Sequence, residues 1–83
     1  GASVLTVAPG AFVDGKSLIE SRLRKDHGLT VVAVQRGEKT HINPDPAWVF
    51  EPGDRAHVFG EQDVISDKAW LFIGDADDAG FAA

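Results

Sequence analysis

Arg36, Lys39, His41 and Asn43 flank a single glycine turn in "QRGEKTHINP", the stretch from Gln35 to Pro44. Their chemistry suits an anion. A guanidinium offers a planar fork matched to phosphate or carboxylate, an ammonium and an imidazole add donors, and an Asn amide both donates and accepts, as reading a base edge requires. With Gly37 and Glu38 as a two-residue loop, Arg36 stands opposite Lys39, Val34 opposite His41 and Val32 opposite Asn43. Opposed residues share a sheet face. The pairing therefore gathers Arg36, Lys39, His41 and Asn43 over a floor of Val32 and Val34, and alternation leaves Val31, Ala33 and Ile42 on the other face. Arg36 and Lys39 repel one another unless an anion or a carboxylate lies between them. A solvated hairpin tip accounts for the same residues, and a slip of one position would scramble the face.

The remaining reactive side chains form no catalytic pattern. His27, His41 and His57 lack paired metal-ligand spacing, and none of Ser3, Ser17, Ser21 and Ser66 sits in a nucleophile elbow. No carboxylate pair is marked out for acid–base work, so the chain is not expected to be an enzyme. "DADDAG" imitates the start of a calcium loop, but Ala79 stands where an oxygen ligand belongs and no bidentate Glu follows. With no cysteine in the chain, thiolate metal sites and disulfides are excluded. In "PGDR", Asp54 is placed to steady a turn by accepting from backbone N–H groups.

These residues must be positioned by a small number of elements. Eighty-three residues, 43% apolar and 25% charged, make one compact domain, residues 1–83, rather than a disordered chain. The opening Gly-Ala-Ser is the kind of stretch cloning leaves behind and is given no functional weight. "SVLTV" alternates as a first strand. Ser17 and Glu20 stand at capping-box spacing, so a helix begins there with Leu18, Ile19 and Leu23 on one side, and Gly28 stops it. "LTVVAVQR" is a β-branched strand, and "KTHIN" returns as its hairpin partner. "PDPAWVFEPGD" is a loop with short extended pieces. "RAHVFG" is a strand with Ala56 and Val58 inward. Val64, Ile65, Ala69 and Phe72 recur at helical spacing from Glu61 to Phe72. The stretch from about 73 to 83 reads as an acidic flexible tail. The order β-α-β-β-(β)-β-α predicts an α+β fold, a small, mostly antiparallel sheet with helices on one face. Trp48, Phe50, Phe59 and Trp70 are core or interface residues.

"GKSLIESRLRKDHGLTVVAVQRGEK", then "INPDP", then "FEPGDRAHVFG", in this order and spacing from Asp14 to Gly60, resemble the TrkA-C family, the C-terminal domain of regulators of potassium conductance (RCK). The resemblance implies a ligand-sensing regulatory domain that pairs as a homodimer. It implies a potassium channel or transporter membrane subunit, or a fused cation/proton antiporter, as partner. It also implies a cytoplasmic location at the inner face of the membrane. It further implies that cyclic di-AMP, or another nucleotide, binds between two copies at Val32, Ala33, Arg36, His41, Ile42, Asn43 and Pro44. No other cofactor and no metal are expected. Gln35 stands where many relatives carry a second basic residue, and no dinucleotide-binding glycine fingerprint is present.

Two other functions fit the residues. One is a dimerisation module with no small-molecule ligand; the other is a metal-responsive domain built on carboxylates. The net charge of −5 argues against a nucleic-acid partner. No apolar run approaches the ~18 residues that span a bilayer, so direct membrane insertion is not expected.

Overall fold

A computed structural model describes residues 1–74; the calcium-like stretch from Asp75 to Gly80 lies outside it. Four strands, β1 (Ala2–Thr6), β2 (Thr30–Arg36), β3 (Lys39–Ile42) and β4 (Arg55–Phe59), form one sheet in the order β1-β4-β2-β3. Every pairing is antiparallel. The helices are α1 (Leu18–Ser21), α2 (Leu23–His27), α3 (Gln62–Lys68) and α4 (Trp70–Ile73). This is the expected α+β sheet. Ala2 and Ser3, given no weight in the sequence, pair with Phe59 and Val58, and the Gly1 ammonium donates to the Gly60 carbonyl at 2.6 Å.

The capping box forms as read: the Glu20 N–H donates to Ser17 Oγ (3.1 Å) and the Ser17 N–H to Glu20 Oε1 (3.0 Å). The single helix expected from Ser17 to Gly28 does not form. Arg22 adopts a left-handed conformation, φ 51°, and divides it into α1 and α2. Ile19 consequently stays 68% exposed, against the expectation that it joins Leu23 on an inward side. Gly28, φ 70°, closes α2. The closing helix is likewise two short pieces, α3 and α4, meeting at Ala69. Ile73, assigned to the tail from sequence, belongs to α4.

The two-residue hairpin has the expected register, with Arg36 opposite Lys39, Val34 opposite His41 and Ala33 opposite Ile42. The face assignment changes at Val31 and Val32, so the expected floor of Val32 and Val34 does not form: Val34 is buried and Val32 is exposed. A β-bulge between Val31 and Ala33, where β2 pairs with β4, inserts Val32 as an extra residue. Alternation is broken there, so Val31 joins Val34 in the core rather than sharing a face with Ala33 and Ile42. The core is one cluster that includes Val7, Val13, Leu23, Leu29, Val31, Val34, Phe50, Ala56, Val58, Ile65, Leu71 and Phe72. Ala56 and Val58 point inward as the alternation of β4 predicts. In the proline-rich segment, Val49 makes an isolated bridge to Ser17, and the Leu18 N–H donates to the Trp48 carbonyl (2.7 Å). That bridge is the short extended piece anticipated between β3 and β4. It ties the loop to the start of α1.

Candidate functional site

The face that carries Arg36 and His41 is the face that carries Val34, which is fully buried. The loop after β3 folds over it. Arg36 Nε donates to Asp54 Oδ1 and NH2 to Oδ2, both at 2.7 Å, a bidentate pair. NH2 also donates to the Val49 carbonyl (2.9 Å), and NH1 lies 2.8 Å from Glu51 Oε2. The guanidinium sits 4.2 Å from the centroid of the Trp48 ring, and the His41 ring 4.7 Å from that ring. Arg36 is thus paired with the chain's own Asp54, while Lys39, opposite it in the hairpin, is exposed and takes no part in the pair.

Asp54 is placed by the turn that the sequence marks. Gly53, φ 91°, supplies the bend, and the Glu51 N–H donates to Asp54 Oδ2 (2.9 Å), the backbone role read from "PGDR". Burial alone would push the Asp54 carboxyl up. The Arg36 hydrogen bonds, the Glu51 N–H and the Arg36 charge outweigh it and hold the group below its usual value. The Trp48 indole N–H adds to this lowering without reaching hydrogen-bond geometry, since its nitrogen is buried and unpaired. Hydrogen bonding to Asp54 raises the Arg36 guanidinium. What the sequence missed is this pairing. Its only sequence signal was an Asp after a Pro-Gly turn, eighteen residues from Arg36.

The other expected ligand residues are divided among three environments. Val32 and Ile42 are exposed, at 46% and 80%, and Ala33 is buried between its strand neighbours. Asn43 is exposed at φ 52°, with its N–H donating to the Val32 carbonyl (2.8 Å), so it extends the hairpin ladder one step and then turns the chain. Asn tolerates this left-handed conformation better than most residues. Pro44 is buried behind it. Asn43 and Pro44 line a groove of about 830 Å³, as do Arg22, Arg24, Lys25 and Asp45. The sequence reading gave those three cations no role. Among the described residues, no group of three or more His, Cys, Asp or Glu is arranged to hold a metal ion, and no helix is long and apolar enough to cross a membrane.

The sequence matches the TrkA-C domain family over residues 3–67. This chain belongs to the TrkA-C family. It is 36% identical over 69 residues to sodium/sulfate cotransporter 2 of Chlamydomonas reinhardtii, covering 83% of this chain and 7% of that protein. It is 37% identical over 53 residues to potassium channel protein 1 of Methanocaldococcus jannaschii, covering 64% of this chain and 16% of the channel. The TrkA-C domain thus spans a small part of either relative. Among solved structures, the RCK_C domain dimer of S. agalactiae BusR in complex with c-di-AMP aligns with TM-score 0.74 and 28% identity, covering 84% of this chain and 93% of that one. The RCK C domain of the potassium transport protein KtrA, also in complex with c-di-AMP, shares the fold with TM-score 0.76 and 23% identity, covering 83% of this chain and 79% of that one. A longer BusR, of which the match covers 35%, is in complex with its promoter DNA. The expectation of no nucleic-acid partner, drawn from the charge of this stretch, therefore does not extend to any longer protein that contains it.

Proposed function

We propose that this TrkA-C domain is a non-catalytic, ligand-sensing regulator of a monovalent-cation channel, uptake system or cation/proton antiporter, working at the inner face of the membrane. In this reading two copies hold cyclic di-AMP between their β2–β3 hairpins, through Val32, Ala33, His41, Ile42, Asn43 and Pro44. The supporting observation is the exposed apolar pair Val32 and Ile42 beside the Asn43 corner, on a domain 28% identical to the BusR dimer that binds this ligand. A flat purine and a symmetric partner would both cover that surface. Arg36 enters the site with its charge largely offset. Glu51, 59% exposed, is the partner a phosphate can displace from NH1, and the buried Asp54 stays in place.

Calorimetry with cyclic di-AMP, paired with light scattering across a dilution series, tests this. Ligand should tighten the dimer by linkage. Ile42→Ser should weaken binding about tenfold, ~1.4 kcal/mol, without changing the unfolding of the ligand-free domain. A chain that stays monomeric and takes up no cyclic di-AMP would remove the reading. The internal saturation of Arg36 favours one alternative, an assembly module whose hairpin is complete without ligand. That alternative predicts a dimer indifferent to cyclic di-AMP.

A further inference from the structure

β1 and β3 are the two edges of the sheet, and they are finished differently. β3 is short, carries the exposed Lys39, and runs into the left-handed Asn43 and then Pro44. Shortness, charge and proline all discourage an edge from pairing with another strand. β1 has no such protection. No side chain from Ala2 to Val13 is charged, β1 contains no proline, and its register with β4 runs unbroken from Ala2 to Thr6.

The ladder fixes which groups of β1 face outward. Gly1 and Gly60 exchange both bonds, the Gly1 ammonium donating to the Gly60 carbonyl (2.6 Å) and the Gly60 N–H to the Gly1 carbonyl (3.0 Å). At the far end the Val7 N–H donates to the Asp54 carbonyl (2.8 Å). Bonded residues alternate in an antiparallel ladder. Ser3 and Leu5 therefore bond to β4, while Ala2, Val4 and Thr6 turn their N–H and C=O groups to the open edge. These residues are exposed, and among the described residues no strand lies beyond them.

We propose that β1 pairs antiparallel with β1 of a second copy, about a two-fold axis through Val4. The outward groups are centred on Val4, so the same strand run in the opposite direction meets every open N–H with an open C=O. Val4 then stands opposite the partner's Val4, and Ala2 opposite the partner's Thr6. Val4, 46% exposed, is covered by its own counterpart. Charge favours a copy at this edge. Chains of net charge −5 repel one another, and β1 brings no charged side chains face to face. The seam lies at the edge opposite the β2–β3 hairpin, so it does not rest on the cyclic di-AMP reading. It is short, so the association is weak and concentration-dependent.

Sedimentation and amide hydrogen exchange of the ligand-free chain, from micromolar to millimolar concentration, test it. The mass should rise reversibly. The Ala2, Val4 and Thr6 amides should gain protection with concentration, while Ser3 and Leu5 are protected throughout. Val4→Pro removes one outward N–H and no bond to β4, so it should weaken association about tenfold or more. Val4→Lys, which leaves the backbone intact and sets like charges opposite each other, should do the same with unchanged unfolding. Ile42→Ser, on the hairpin, should leave the β1 association in place. A monomer at every concentration, association that survives Val4→Lys, or association lost in Ile42→Ser would each overturn the proposal. So would Val4 protection independent of concentration, or aggregates that dilution does not reverse. A monomer without ligand leaves the hairpin reading standing, since that reading is tested with cyclic di-AMP present.

Discussion

At Asp54 a carboxylate whose side chain is 2% exposed accepts from two nitrogens of Arg36 and from the Glu51 N–H. Removing it strands a guanidinium against Trp48 and leaves the turn without its acceptor. Breaking a buried pair costs about 3–5 kcal/mol, but Arg36 is 38% exposed and regains some water. Asp54→Ala is therefore expected to lower stability by about 2–4 kcal/mol in urea unfolding. A loss below ~1 kcal/mol would mean that the pair is solvated rather than structural. The sign of the pH dependence follows from the lowered carboxyl. Its folded value lies below the ordinary 3.8, so the stabilisation is whole above that pH and fades as pH falls through the lowered folded value. Asp54→Ala should remove that part of the acid sensitivity, leaving a shallower stability profile between neutral and strongly acidic pH.

The α1–α2 region shows what local sequence does and does not specify. Ser17, Glu20 and Gly28 mark a start and a stop, and both form where the spacing places them. Between them the apolar positions read as one helix because Arg22 has good helical propensity. Long-range pairing overrides it. The N–H groups of Leu18 and Ile19 donate to the carbonyls of Trp48 and Pro46, which holds α1 to the loop after β3. Leu23 is nonetheless buried in the core, so the chain changes direction at Arg22. Gly28 tests the stop signal cleanly. A Cβ there would lie 3.6 Å from Val64 Cγ1, an ordinary contact, so the cost of Gly28→Ala is the left-handed backbone alone. Thermal or urea unfolding should show a loss of about 1–2 kcal/mol. A neutral result would mean that the helix end can relax without its left-handed cap.

Across the whole molecule, loop and helix close over the sheet through Phe50, which is 1% exposed and meets Phe72 edge-on at 5.8 Å. Of the residues read from sequence as core or interface, Phe50 is core and Trp48 partly buried, while Val49 between them is 46% exposed. Truncating a buried Phe costs about 3–5 kcal/mol, a large share of the ~5–15 kcal/mol that holds a domain together. Phe50→Ala should lower the urea midpoint severely and abolish cooperative unfolding near body temperature. A midpoint close to wild type would show that the loop closes over the sheet without this anchor.

The order of elements, the hairpin register and the inward positions of β4 were legible because each rests on a short-range rule: period-two alternation, a two-residue turn, a capping pair. Val31 was misplaced because a bulge is decided by how β2 meets β4, and β4 lies more than twenty residues away in sequence. Arg36 was legible as an anion-binding side chain, but its partner was not, since nothing local links Arg36 to Asp54. The groove was invisible for the same reason. Arg24 and Lys25 come to line one groove with Asn43 and Pro44 only once the fold has formed. Sequence determined which residues carry charge and which strands alternate; only tertiary structure decided which charges are already spent on each other and which still face an open groove, because that depends on contacts between segments that meet only after the sheet has closed.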